Sequence, residues 1–211
     1  LAESFKLEAN TLESGVFIND GEGRFSFEPL PNIAQSSAIF GLSMVDVNAD
    51  GRLDLYAVQN FSNPQFETPP FRGGLSVLLL GDGQGDLHVA PHPESGMVVS
   101  GDGRGLAYTD FNRDGRPDFL IGINDGELRA FTNRPGPAGR VLRLEGAGGN
   151  CHAAGARVIL FTETGQRVAE VYQGGGYLSQ STPVIFLSPD VTRVEVTWPG
   201  CLLYTSPSPR D

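Results

Sequence analysis

The sequence predicts an all-β protein: a partial β-propeller of about two blades of four antiparallel strands, then a small C-terminal antiparallel β domain. Three observations carry this. A nine-residue acidic loop occurs twice, 64 residues apart, as DVNADGRLD at Asp46–Asp54 and DFNRDGRPD at Asp110–Asp118 (110 − 46 = 64). A glycine-rich hairpin string recurs at nearly the same spacing, as FINDGEGRF at Phe17–Phe25 and LLGDGQGDL at Leu79–Leu87 (82 − 20 = 62 between the Asp residues). Between these strings apolar residues alternate with period two, the signature of strands.

The first residues, 1–14, read as the remnant of a preceding blade. Asp-Gly between alternating apolar runs is a strong hairpin signal, because primed turns need positive φ. The strings at Phe17 and Leu79 therefore each predict two strands and a tight turn, and INDGELRAF at Ile123–Phe131 is a partial third copy. Each repeat then reads as strand, acidic loop, strand, linking segment and hairpin, and four short strands form one propeller blade.

Both acidic loops keep the pattern D-x-N-x-D-G-x-x-D and run into an apolar stretch, LYAV or FLIG. The oxygen side chains of Asp46, Asn48, Asp50 and Asp54, and of Asp110, Asn112, Asp114 and Asp118, can converge on one hard cation per loop. Gly51 and Gly115 permit the turn. Ca²⁺ accepts about 6–8 oxygens in a flexible shell. An EF-hand starts alike but requires a bidentate Glu at position 12 and enters a helix. Here that position is Ala57 or Ile121, inside an apolar run that reads as a strand. A single loop of this composition is also what an ordinary Asx turn looks like. Two copies keeping all five positions favour a cation.

These loops and their strand context resemble the FG-GAP/VCBS repeats of integrin α-subunit propellers and of many bacterial surface proteins, over about residues 15–133. The resemblance implies one Ca²⁺ per loop, with the backbone carbonyls of Arg52 and Arg116 as further ligands. Beyond a Pro/Gly-rich linker at 134–140, the strings GN…GARV, GGGYLSQS and VEVTWP resemble the ASPIC/UnbV domain over 141–200. There Val194, Val196 and Trp198 alternate with Arg193, Glu195 and Thr197, as a half-buried strand requires. Gly174–Gln180 reads as a structural turn or an interaction loop, with Tyr177 and Leu178 expected against Val196 and Trp198.

The closing CLLYTSPSPRD, Cys201–Asp211, coincides residue for residue with one reading frame of a transposase-derived sequencing adapter. It is read as non-native and set outside the fold. The chain is accordingly expected to be a fragment at both ends. Cys151 is then the one native cysteine expected here; a Cys151–Cys201 bridge is the alternative if the tail is native.

Composition narrows the function. The net charge of −10 opposes phosphate-backbone binding, which depends on Lys and Arg. The glycine strings lack the following helix that phosphate cradling needs. No apolar run approaches the ~20 residues that span a bilayer. His88, His92 and His152 lack the clustered partners of a zinc site, and no serine sits in a G-x-S-x-G elbow. The expectation is a calcium-stabilised, non-catalytic interaction module of a secreted, periplasmic or cell-surface protein. Its partner would be a protein or glycan, and nucleic acid is not expected. The alternative is an accessory portion of a larger enzyme.

Overall fold

The computed structural model describes residues 6–134, 139–146 and 148–199, and the backbone of 202–207. The strands are β1 (Gly15–Asn19), β2 (Phe25–Pro29), β3 (Ile39–Val45), β4 (Asp54–Gln59), β5 (Val77–Gly81), β6 (Leu87–Val89), β7 (Asp102–Thr109), β8 (Asp118–Asn124) and β9 (Arg129–Phe131) in the repeats. The C-terminal unit adds β10 (Arg140–Arg143), β11 (Arg157–Thr162), β12 (Gln166–Glu170), β13 (Val184–Leu187), β14 (Val191–Trp198) and β15 (Leu202–Pro207). Helix is confined, among the described residues, to single turns at Asn32–Gln35 and His92–Ser95. Most of the linker at 134–140 lies outside the described residues.

The repeats form a β1-β2 hairpin, a four-stranded sheet in the order β3-β4-β5-β6, and a three-stranded sheet in the order β7-β8-β9. All pairings within them are antiparallel. The four-stranded sheet is the expected blade. Among the described residues the second sheet has one strand fewer than the sequence predicts, and the cause is local. In the first repeat, residues 60–76 separate β4 from the β5–β6 hairpin. In the second, the turn at Asp125–Leu128 follows β8 directly, so β8 is itself one arm of the hairpin.

The two full Gly/Asp hairpins use the same turn. Asp20 Oδ1 accepts from the Glu22 and Arg24 N–H groups at 2.7 and 3.1 Å. Asp82 Oδ1 accepts from Gln84 and Asp86 at 2.7 and 3.1 Å. Gly21 and Gly23 in the first string, and Gly83 and Gly85 in the second, have positive φ. The third copy lacks the second glycine and makes a tighter turn, with Asp125 at φ 53° and the Gly126 N–H on the Ile123 carbonyl.

β4 is buried on both faces, which the alternation of its residues divides between two cores. Tyr56 and Val58 join Leu106, Phe119 and Ile121 between the two blades, with the Tyr56 and Phe119 rings edge to face at 5.3 Å. Leu55 and Ala57 join Val77, Leu79, Leu30 and Ala34 on the side of the β1–β2 hairpin. The blades approach closely at two glycines. A Cβ on Gly103 would stand 2.5 Å from Val58 Cβ, and one on Gly41 would stand 2.8 Å from Leu106 Cβ.

The C-terminal unit pairs β10 with β13 and builds a second sheet in the order β12-β11-β14-β15. Val158, Leu160, Val171, Val191 and Val196 form its core, and Val194 and Trp198 pack against it, as the alternation predicts. The backbone of β15 lies within the segment that the sequence reading set outside the fold. Its pairing with β14 extends from Arg193↔Pro207 to Trp198↔Leu202. An open strand edge accepts any extended apolar segment, whatever that segment's origin. Cys201 and the last residues, 208–211, lie outside the described residues, and with them any Cys151–Cys201 bridge.

The glycine loop departs from expectation. Tyr177 does not pack on Val196 and Trp198; its ring lies 5.6 Å from that of Phe40 in the first blade. Leu178 is 80% exposed, with φ 48°. The segment instead runs along the open edge of β7. The Leu106 N–H donates to Ser179 Oγ at 3.3 Å, and that hydroxyl donates to the Leu106 carbonyl at 3.0 Å. The Tyr108 N–H donates to Ser181 Oγ at 3.1 Å, and the Thr182 N–H donates to the Tyr108 carbonyl at 3.0 Å. An edge strand presents unpaired backbone groups that need partners, and this demand outweighs burial of two apolar side chains at the C-terminal sheet.

Candidate metal centres

Each acidic loop joins two adjacent antiparallel strands, β3 to β4 and β7 to β8, with Val45↔Asp54 and Thr109↔Asp118 as the closing pairs. The strands bring the first and last acid of each loop together at its base. The turn between them uses left-handed backbone at equivalent places: Ala49 and Gly51 at φ 61° and 87°, Arg113 and Gly115 at φ 63° and 79°. This explains why glycine occupies position 6. A Cβ on Gly115 would also collide with Gly139.

The two loops match bond for bond. Asp46 accepts from the N–H groups of Asp50 and Gly51 at 3.2 and 2.8 Å, and Asp110 accepts from those of Asp114 and Gly115 at 3.0 Å each. Asn48 Nδ2 donates to Asp50 Oδ2 at 3.1 Å, and Asn112 Nδ2 to Asp114 Oδ2 at 2.9 Å. Asp50 Oδ1 accepts from the Arg52 N–H, and Asp114 Oδ1 from that of Arg116. Asp54 accepts from Val47 and Gly81, and Asp118 from Phe111 and Asn133. Both Asp54 and Asp118 are fully buried. The Arg52 side chain points to solvent, whereas Arg116 is buried.

The donor set is all oxygen, the chemistry of a hard divalent cation rather than a soft one. Among the described residues, no three His, Cys, Asp or Glu side chains stand as a ready metal-holding group. Each loop relies on an asparagine besides its carboxylates, and those carboxylates are turned onto the loop's own N–H groups. In the first loop these carboxylates carry an electrostatic cost that is set chiefly by burial. Burial pushes the Asp46 carboxyl up to about 6, opposed by the Gly51 N–H and reinforced by the charges of Asp50 and Asp54. Burial also raises Asp54. A cation would relieve both effects.

Asn133, Gly139 and Arg167 also tie the loops to the rest of the chain, and none of these ties is visible in local sequence. Asn133 touches both loops: its backbone N–H donates to Asp118 Oδ1 at 2.9 Å, and its Nδ2 donates to the Val47 carbonyl at 2.7 Å. The Gly139 N–H donates to the Asp114 carbonyl at 2.7 Å. Arg167, on β12, donates to the Gly51 carbonyl and to Ser188 Oγ, and pairs with Asp190 at 3.3 Å. Sequence reasoning also missed Gln59 and Asn60, buried polar residues that staple the linking segment. Gln59 Nε2 donates to the Leu75 carbonyl at 2.7 Å, while Asn60 exchanges two bonds with Gly74. The histidines stay apart from these centres: His92 Nε2 contacts the Ser76 carbonyl at 2.9 Å, and His88 and His152 are exposed.

Residues 9–57 match the FG-GAP-like repeat family, and residues 146–202 match the family described as ASPIC and UnbV. The chain is similar to cartilage acidic protein 1 of Xenopus tropicalis, 24% identical over 254 residues, covering 90% of this chain and 38% of that protein. It is 25% identical over 187 residues to cartilage acidic protein 1 of Mus musculus and of Homo sapiens, covering 85% of this chain and 28% of each relative. The chain therefore spans well under half the length of these relatives. No helix among the described residues is long and apolar enough to cross a membrane.

Proposed function

We propose that this chain, which joins an FG-GAP-like repeat to an ASPIC/UnbV domain, is a calcium-stabilised, non-catalytic interaction module. The observation that carries the proposal is the bond-for-bond identity of the two acidic loops. Plain turns of the same outline need not keep three carboxylates and a carboxamide, because crowded like charges destabilise the metal-free fold. A Ca²⁺ ion supplies the compensating charge. Asp46, Asn48, Asp50, Asp54 and the Arg52 carbonyl would hold one ion; Asp110, Asn112, Asp114, Asp118 and the Arg116 carbonyl would hold the other. Ions so placed fix the β3–β4 and β7–β8 connections and hence the exposed loops beside them.

Sites of this kind load where Ca²⁺ is abundant, and extracellular modules work at about 10⁻⁴–10⁻³ M. This favours a secreted, periplasmic or cell-surface location, with a protein or glycan partner. The serines of the glycine loop support a structural role, since Ser179 and Ser181 are committed to the β7 backbone. Calcium titration calorimetry on the 211-residue chain tests the proposal. Two ions per chain are expected, and Asp50→Asn should leave one. No uptake at millimolar Ca²⁺ would overturn it.

A further inference from the structure

We infer that Asn133 couples the two acidic loops, so that they load cations cooperatively. The inference rests on the ion-binding reading and adds the linkage between its sites. Asn133 meets each loop at a group that the loop itself uses. Its backbone N–H donates to Asp118 Oδ1, the carboxylate that closes the second loop. Its side-chain Nδ2 donates to the carbonyl of Val47, whose own N–H donates to Asp54 Oδ2, the carboxylate that closes the first. One residue thus connects Asp118 to Asp54 through consecutive hydrogen bonds. The first blade has no counterpart. There the group on Asp54 Oδ1 is the N–H of Gly81, which has no side chain to reach another loop.

Ordering either loop fixes its half of this relay. A cation in the second loop holds the Asp118 carboxylate and with it the Asn133 backbone. The Asn133 carboxamide is then already placed for Val47, so the first loop loses less freedom when its own cation arrives. A ligand that finds part of the ordering done binds more tightly, and the effect is reciprocal. A neutral hydrogen bond contributes about 1 kcal/mol, so the coupling should be about fivefold in affinity. A second route joins the loops through the C-terminal unit, from Asp114 by Gly139 and from Gly51 by Arg167. The variants below separate the two routes.

The test is Ca²⁺ titration calorimetry of the chelator-treated chain. Two ions with a Hill coefficient above one are expected for the unmodified protein. Asn133→Ala keeps the backbone N–H and removes only the relay, so it should bind two ions independently. Asp50→Asn should weaken binding at the remaining loop about fivefold relative to the second-loop affinity in the intact chain. This readout requires no change at Asn133 and stands even if Asn133→Ala does not fold. Independent sites in the unmodified chain would overturn the inference while leaving two-ion binding intact. Cooperativity that persists in Asn133→Ala would overturn it in favour of the Gly139–Arg167 route. Absence of any uptake would overturn both the coupling and the ion-binding reading.

Discussion

Asp54 and Asp118 occupy the same place in successive repeats, each fully buried and each holding two backbone N–H groups, one from its own loop and one from another segment. Such a carboxylate organises the fold even without a cation. Truncating it leaves two buried donors unsatisfied, at about 1–3 kcal/mol each. Asp54→Ala and Asp118→Ala should therefore each cost about 2–5 kcal/mol in chelator, measured by urea unfolding. Asp50→Ala removes an exposed side chain and should cost far less in chelator while abolishing one loop's response to Ca²⁺. Equal losses from Asp50→Ala and Asp54→Ala in chelator would contradict this division of roles.

Stability without metal should fall as pH rises through the Asp46 titration. In the folded chain this carboxyl titrates at about 6, above its ordinary 3.8, chiefly because it is buried. Folding therefore favours the protonated form. Its share of stability is fully present below 3.8 and is lost as pH rises through about 6. Asp54, raised in the same direction, adds to the trend. Urea unfolding in chelator across this window should show the decline, and Asp46→Asn should lessen it. Calcium affinity at the first loop should rise over the same interval, because the ion displaces the proton. A metal-free stability that climbs through the window, unchanged in Asp46→Asn, would oppose this account.

The blade contact should be sensitive to one methyl group. Gly103→Ala would place its Cβ 2.5 Å from Val58 Cβ, and the backbone must shift to relieve it. Overpacking of this kind costs about 1–3 kcal/mol. Val58→Ala alone opens a cavity in the interblade core, but combined with Gly103→Ala it should recover part of the loss. A double-mutant cycle in urea reads the coupling. Strict additivity would mean that the blades are not in contact there.

The glycine loop should protect the β7 edge. Ser179→Ala and Ser181→Ala each remove a hydroxyl acceptor from a β7 N–H, at Leu106 and at Tyr108. Amide exchange at these two residues should accelerate, by about fivefold to tenfold for a loss near 1 kcal/mol, while exchange in β11 and β14 stays unchanged. Acceleration in β11 and β14 would instead place the loop on the C-terminal sheet.

Much of this architecture was legible because its signals are local. D-x-N-x-D-G-x-x-D fixes a turn through side chains that bond their own loop, so the positions of both acidic loops between strands follow from nine residues each. The alternation Leu55–Tyr56–Ala57–Val58 divides between two cores as its period requires. What stayed hidden depends on distant partners. Tyr177 meets Phe40 across more than a hundred residues, and Ser179 meets Leu106 across 73. A hydroxyl that satisfies a strand edge has no sequence period. Asn133 likewise looks like an ordinary residue before a Pro-rich linker, and only the fold places its carboxamide beside Val47. The missing strand of the second blade was partly readable: INDGELRAF begins within the strand that follows the acidic loop, leaving no room for a linking segment.

Calcium held by the acidic loops should hold the fold with it. Thermal unfolding of the 211-residue chain in chelator and in millimolar Ca²⁺ is the decisive measurement. A ligand bound only by the native state adds about 2.7 kcal/mol per site at a hundredfold excess over Kd. A clear upward shift in Tm with Ca²⁺ is expected, reduced in Asp50→Ala and in Asp114→Ala and lost in the double variant. The same Tm in chelator and in Ca²⁺ would contradict it and leave the two loops as turns held by their own hydrogen bonds.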